Sequence, residues 1–149
     1  MRYTHVEVSE FRKIAHGVGQ NCFHLILAPK YRHPVFRSEW IRLPCETALR
    51  EVAARHKIEI EELCVEPDHV HIFVELHPTM SVSTSVRLLK GGAAYILRKR
   101  NRWMRRYKSL WSPAKFYRSV GSVTDTAITR YLVDAHHSSK IPREQTRLK

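Results

Sequence analysis

Residues 69–76 (HVHIFVEL) constrain the fold more than any other part of the chain. The run is rich in β-branched and aromatic residues, which is typical of a strand. Side chains two positions apart on a strand lie on the same face. We therefore expect one face to be directed to the core through Val70, Ile72 and Val74. The other face carries His69, His71, Phe73 and Glu75.

The patterns on either side of this run predict the element order β-α-β-β-α-β-α. The predicted strands are residues 20–28, 58–65, 69–76 and 115–120. Helices are expected to be capped by Ser38, by Thr79 or Ser81, and by Thr124. Residues 1–17 are expected to be irregular. The order predicts an α+β fold, a ferredoxin-like sandwich with a mostly antiparallel central sheet and helices packed on it.

Three local features refine this expectation. Pro67-Asp68 predicts a turn that joins the second and third strands as a hairpin. Pro44 is expected to delay the start of the first helix. Gly91-Gly92 interrupts the second helical pattern and indicates either the close approach of another backbone or a hinge.

The length of 149 residues suits a single domain, residues 1–149, with a loose tail over residues 138–149. The first residues lack the apolar segment of a signal peptide, and no apolar run is long enough for a membrane span. The scattered cysteines Cys22, Cys45 and Cys64 argue against a disulfide framework. These features favour a cytoplasmic protein.

The formal charge of +12 is concentrated in one stretch of the chain. Residues 76–124 contain eleven Lys or Arg and no Asp or Glu. Aromatic residues interleave with these cations: Trp103, Tyr107, Trp111, Phe116 and Tyr117. Cations hold phosphates while rings stack on unpaired bases, so the stretch predicts binding of nucleic acid rather than a merely solvated basic surface.

The predicted nucleic-acid surface has a main part and a lesser part. The lesser part lies at the exit of the first strand, at Lys30 and Arg32. The main part is Lys90 together with the basic run that follows the second helical pattern: Arg98, Arg102, Arg105, Arg106 and Lys108.

The His69 and His71 imidazoles lie two apart on one strand, so both are able to reach a single metal ion. Asp68 precedes them and is placed to orient a histidine. Taken alone, the His-x-His pattern favours two half-exposed polar residues on an amphipathic strand. Likewise Tyr131 lies in a helical pattern over residues 124–137, where periodicity alone favours a core tyrosine. A nearby cation at the histidines would give its phenol a role as a nucleophile.

Five segments together resemble the small single-tyrosine HUH transposases of insertion sequences, which move single-stranded DNA and have the REP-associated tyrosine transposases as relatives. They are PKYRHPVF (29–36), EPDHVHIFVELHPTMSVS (66–83), LLKGGAA (88–94), LWSPAKFYRSVGSVT (110–124) and AITRYL (127–132). Each segment is a weak indication, but five in this order and spacing are specific.

The resemblance implies a metal-dependent enzyme that cleaves and rejoins single-stranded DNA at hairpin-bearing element ends. His69 and His71 would be metal ligands and Tyr131 the nucleophile that forms a 5′-phosphotyrosine intermediate. The implied metal is Mg²⁺ or Mn²⁺. The implied partners are single-stranded DNA with subterminal hairpins and a second copy of the chain, in a homodimer with composite active sites. No membrane and no nucleotide cofactor are implied.

One position departs from the family pattern. The family usually has a glutamine one helical turn after the tyrosine as a third metal ligand, and here that residue is Ala135. His136 is the candidate third ligand, and Asp134 is the other candidate. The departure keeps open a catalytically impaired or domesticated hairpin-DNA-binding protein of the same fold. A small metal hydrolase is a further alternative, but it leaves the basic stretch unexplained.

Overall fold

The computed structural model describes residues 12–14 and 17–120. Its strands are β1 (Arg12–Ile14), β2 (Gly17–Gly19), β3 (Cys22–Leu27), β4 (Glu59–Glu66), β5 (His69–Glu75) and β6 (Phe116–Val120). Its helices are α1 (Glu39–Arg55) and α2 (Val82–Arg100), with short 3₁₀ helices over Lys30–Arg32 and Arg102–Arg106. Residues 21–119 form one compact unit, whereas β1 and β2 belong to a second. The predicted last helix, with Tyr131, Asp134 and His136, lies outside the described residues.

β1 and β2 pair as a short antiparallel hairpin. The expectation that residues 1–17 are irregular is therefore wrong for Arg12–Ile14. That expectation came from the absence of a strand pattern, and a three-residue strand is too short to produce one.

The main sheet has the order β4-β5-β3-β6. β5 lies in its interior and is antiparallel to both β3 and β4. The predicted hairpin between β4 and β5 is confirmed, with its turn at Pro67 and Asp68. An antiparallel four-stranded sheet with two helices also confirms the predicted α+β fold class.

Helix α1 begins where its cap predicts and not where its proline suggests. The Ser38 hydroxyl accepts a hydrogen bond from the Trp40 backbone N–H at 3.4 Å. The helix then continues through Pro44 without a break, so the expected delay is wrong. Proline removes one intrahelical hydrogen bond, and we attribute the continuity to the burial of Cys45 and Leu49 on the following turns.

Helix α2 is capped by Ser81, whose hydroxyl accepts from the Thr84 N–H at 3.1 Å. It passes through Gly91 and Gly92 without interruption, so neither is a break in the helix. At Gly92 a Cβ atom would lie 2.6 Å from Cγ2 of Val52, which belongs to α1. Gly92 therefore permits a close approach of α1, but the approach is made by a side chain, so the expected contact with another backbone is wrong.

The core lies between the sheet and the two helices. The sheet contributes Leu25, Leu27, Val70, Ile72 and Val74, and the helices contribute residues such as Leu49, Val52, Val86 and Leu89. The predicted inward face of β5 is therefore confirmed. Neither helix in the described part of the chain has the length and apolar character of a membrane span.

Candidate functional site

The two histidines of β5 lie on the face of the sheet opposite α1 and α2, and both are buried. Their Nε2 atoms are 2.8 Å apart, and the rings meet nearly at right angles. Two imidazole nitrogens at this distance must share a proton or direct their lone pairs at one cation, because two bare lone pairs repel each other. The donor set therefore fits a metal ion that accepts imidazole ligands.

Asp68 determines which nitrogen of His69 carries a proton. Its Oδ1 lies 2.6 Å from Nδ1 of His69. An ionised carboxylate only accepts hydrogen bonds, so Nδ1 is the protonated nitrogen and Nε2 has the free lone pair when the ring is neutral. This confirms the predicted contact between Asp68 and a histidine. The guanidinium of Arg32 also pairs with Asp68 at 3.0 Å, so Arg32 lies beside the histidine pair through the carboxylate.

A third histidine, His24 of β3, was missed by the sequence analysis. Its Nε2 lies 3.2 Å from Nδ1 of His71, and the two rings are nearly parallel, with an angle of 2° between their planes. Burial lowers the pKa of His24 to about 4, helped by the charges of Arg118 and His69. His24 is thus neutral near pH 7, with one nitrogen able to donate and one able to accept.

The strand period contained part of the information needed to find His24. Successive side chains of a strand lie on opposite faces, and Leu25 and Leu27 are directed to the core. His24 therefore lies on the face opposite the core. What the period did not supply is the register between β3 and β5, in which Ile26 lies opposite His71. That register makes His24 a diagonal neighbour of His71.

Glutamates occupy the other end of β5. Carboxylate oxygens of Glu59, Glu61 and Glu75 lie within 4.8 Å of one another, and Glu75 is the buried member. Among the described residues, these three are the side chains that lie close enough together to form a three-ligand metal site. This glutamate cluster supplies no third ligand to the histidine pair. The two candidates for that ligand, His136 and Asp134, lie outside the described residues.

Two cations of the predicted nucleic-acid surface bind the protein's own backbone. Nζ of Lys90 donates to the carbonyl oxygens of Ser112 and Ala114, both at 2.8 Å. Burial, with the nearby charge of Lys115, lowers the pKa of Lys90 to about 8. The Arg98 guanidinium donates to the carbonyl of Tyr107 at 2.7 Å and to that of Lys108 at 2.6 Å. Both side chains hold residues 107–114 against α2.

The remaining cations of the main part face solvent: Arg102, Arg105, Arg106 and Lys108. Arg106 lies over the Trp103 ring, 4.6 Å from its centroid. Arg105 also donates from Nε to the carbonyl of Arg98 at 3.1 Å. Of the interleaved aromatic residues, Trp103 and Tyr117 are exposed, whereas Trp111 is buried.

One cavity brings the lesser and main parts of the predicted surface together. It has a volume of about 380 Å³ and is lined by cations, rings and small or apolar residues: Lys30, Tyr31, His33, Val35, Arg106, Tyr107, Lys108, Ser109 and Leu110. The Lys30 backbone N–H donates to the Leu110 carbonyl at 2.9 Å, which joins the two walls. Tyr31 at the rim has φ of 61° and a largely exposed ring.

Comparison with known proteins identifies the family. The family model described as transposase IS200-like matches residues 18–135. The chain belongs to the IS200-like transposase family. It is therefore a transposase and a DNA-cleaving enzyme, which confirms the resemblance that the five segments indicated.

The relatives agree with this assignment. The ISDra2 transposase TnpA of Deinococcus radiodurans is 31% identical over 133 residues, which cover 85% of this chain and 92% of that protein. The transposase of insertion sequence element IS200 of Salmonella typhimurium is 31% identical over 108 residues, 70% of each chain.

Two solved structures share the fold. A putative transposase from Deinococcus radiodurans R1 is 27% identical, with a TM-score of 0.66 over 83% of this chain and 96% of that one. A REP-associated tyrosine transposase bound to a REP hairpin is 16% identical, with a TM-score of 0.58 over 87% of this chain and 74% of that one. The second comparison bears on the fold alone.

Proposed function

We propose that this transposase cleaves and rejoins single-stranded DNA at hairpin-bearing element ends, through a covalent 5′-phosphotyrosine intermediate on Tyr131. The observation that carries the proposal is the pair of convergent Nε2 atoms of His69 and His71, 2.8 Å apart, in a chain of the IS200-like family. A nuclease that hydrolyses DNA with water needs no covalent tyrosine, so the intermediate distinguishes the two reactions.

His69 and His71 would hold a divalent ion, Mg²⁺ or Mn²⁺, through their Nε2 atoms. Manganese suits a site of imidazole nitrogens completed by phosphate oxygens. The ion would supply Lewis acidity at the scissile phosphate. We propose His136 as the third ligand and Asp134 as the other candidate, since Ala135 has no ligand atom.

The bond-making and bond-breaking steps take place between Tyr131 and the DNA strands. The Tyr131 Oη attacks the phosphorus, forms the Tyr–O–P bond and loses its proton. The P–O3′ bond breaks, and the leaving oxygen takes up a proton to become a free 3′-OH. A 3′-OH of another strand then attacks the phosphotyrosine, which releases Tyr131 and joins new ends. Bond energy is conserved in the covalent link, so no nucleotide cofactor is needed.

The DNA substrate would be bound by the exposed cations and rings beside the cavity. Lys30, Arg106 and Lys108 line it together with the rings of Tyr31 and Tyr107. Rings stack on unpaired bases of any sequence and cations neutralise phosphates, which suits a single strand. The resemblance implies the hairpin, and a protein of the same fold, a REP-associated tyrosine transposase, is bound to a REP hairpin in its solved structure. A homodimer with composite active sites is part of the same proposal.

The test is covalent attachment on a denaturing gel. Purified protein is mixed with labelled single-stranded element ends and Mn²⁺, and Tyr131→Phe is the control. A metal-dependent shifted band that is absent in the control is the expected result. Cleavage by the Tyr131→Phe variant would exclude this tyrosine as the nucleophile. Hairpin binding without any covalent band would instead favour a catalytically impaired binding protein, with Ala135 as the first position to restore to Gln.

A further inference from the structure

We propose that His24 is a positioning residue for His71. It keeps a hydrogen bond to the His71 imidazole in both the metal-free and the metal-bound state. The proposal rests on the metal site proposed above for His69 and His71. It concerns a residue of another strand, which contacts the proposed ligand His71.

The polar side chains of the site form one continuous chain across the face of the sheet opposite α1 and α2. It runs from Asp68 to His69 at 2.6 Å, from His69 to His71 at 2.8 Å, and from His71 to His24 at 3.2 Å. Its two ends differ in chemistry. Asp68 only accepts hydrogen bonds, whereas the imidazole of His24 accepts or donates at Nε2 according to its tautomer.

Before an ion binds, the distances fit one direction of donation. Nε2 of His71 donates to Nε2 of His69, so Nδ1 of His71 is the acceptor and His24 donates to it. A bound ion needs the lone pair on Nε2 of His71. The proton of a neutral His71 then resides on Nδ1, and His24 must accept it.

His69 undergoes no such change, because its Nδ1 donates to Asp68 in both states. The two ligands therefore need different partners, one with a fixed role and one with a reversible role. A carboxylate suits the first and a neutral imidazole suits the second. The parallel planes of His24 and His71 permit in-plane donation in either direction.

A purely space-filling role for His24 makes a different prediction. The side chain is buried, at 3% exposure, and an aromatic ring without nitrogens would fill nearly the same volume. If His24 only fills space, His24→Phe should bind metal like the wild type. If it positions His71, His24→Phe should lose affinity and His24→Gln should retain most of it, because an amide offers both a donor and an acceptor.

The first measurement is Mn²⁺ affinity of the full chain without DNA, followed by the electron spin resonance of free Mn²⁺. We expect His24→Phe to weaken binding about 10- to 100-fold, the range typical of residues that orient metal ligands, and His24→Gln to weaken it only a few-fold. Ile26→Val is the matched control, because Ile26 is also buried and lies opposite His71. The melting temperature without metal shows whether each variant is folded.

The second measurement needs no variant of His24. Histidine side-chain ¹⁵N spectra are recorded before and after addition of Zn²⁺, a diamagnetic probe. The expected result is a protonated Nδ1 on His71 and an unprotonated Nε2 on His24 in the metal-loaded protein. A protonated Nε2 on His24 in that state overturns the proposal, as does wild-type Mn²⁺ affinity in His24→Phe.

Failure of the metal site itself gives a separate pattern. If the wild type binds no Mn²⁺, or His71→Ala binds as well as the wild type, the proposed function loses its metal centre. If the wild type binds and His71→Ala does not, while His24→Phe binds normally, only the role of His24 is refuted.

Discussion

The histidine centre and the basic segment of residues 90–114 both contain hydrogen bonds between elements, but these bonds have different roles. At the centre, side chains contact one another on a buried face, and the middle of this chain of contacts brings two nitrogens together. In the basic segment, Lys90 and Arg98 donate to backbone carbonyls while neighbouring arginines face solvent. Some basic residues of this stretch thus bind the protein's own backbone and others face solvent, so a count of charges overstates the number of cations that are available to a ligand.

The largest effect that tests this comparison is expected at the histidine centre. His71→Ala removes one of the two proposed nitrogen ligands, and we expect cleavage and Mn²⁺ affinity to fall by at least about 100-fold, since Lewis-acid stabilisation contributes several kcal/mol. DNA binding without metal should stay within about two-fold, because the imidazole is buried away from solvent. Cleavage assays and filter binding measure the two quantities.

His77→Ala is the control for His71→Ala. His77 follows β5, is exposed and contacts Thr79, so its loss should leave both quantities unchanged. Equal losses in the two variants would indicate general damage to the sheet. Unchanged cleavage in His71→Ala would remove it from the metal centre.

The next effect tests whether Arg98 stabilises the fold. Arg98→Met removes the donors to the carbonyls of Tyr107 and Lys108, and we expect a loss of about 2–3 kcal/mol in the free energy of unfolding, as for hydrogen bonds from a charged group. Urea unfolding measures it. Arg102→Met, at an exposed arginine, is the control and should change stability by less than about 0.5 kcal/mol. Equal stability of the two variants would mean that Arg98 is an ordinary surface cation.

The contrast between these regions also shows what the sequence was able to predict. Strand alternation placed His69 and His71 on one face and Val70 in the core, because the period of two depends only on local geometry. The cap at Ser38 was likewise local. The partner of His71 was not predictable, because it depends on the register of β3 against β5.

The division of the cations was hidden for the same kind of reason. Lys90 and Arg98 differ from Arg102 only in the carbonyl oxygens that the fold brings near them, and no spacing rule encodes those positions. Pro44 did not predict the start of α1 correctly, because the burial of α1 in the core outweighs the loss of one backbone hydrogen bond. The role of Tyr131 rests on the resemblance and the covalent test.

The salt dependence of binding tests the solvent-facing arginines. Replacing Arg102, Arg105 and Arg106 together with Gln should reduce the slope of log K against log salt by about 2, from roughly 0.7 per phosphate contact on a single strand. Fluorescence anisotropy with a labelled strand at four salt concentrations measures the slope. The control replaces Arg50, Arg55 and Lys57, exposed cations at the end of α1 and just beyond it, and removes the same charge. An equal change of slope in both triple variants would mean that net charge, and not this surface, binds DNA.

The smallest expected effect is the contribution of Lys90 to the pH dependence of stability. It tests whether Lys90 stabilises the fold or is an ordinary cation of the DNA-binding set. Its folded pKa is about 8, below the ordinary 10.5, so between these pH values the folded protein releases a proton that the unfolded chain retains. The free energy of unfolding should therefore rise with pH across this window, by about 1 kcal/mol after allowance for partial exposure. A neutral amine still has two hydrogens for the carbonyls of Ser112 and Ala114.

Lys90→Met should lack the rise in urea unfolding at pH 7.5 to 10, and Lys99→Met, at an exposed lysine of α2, should keep it. If Lys90→Met keeps the rise as well, Lys90 is an ordinary cation and returns to the DNA-binding set.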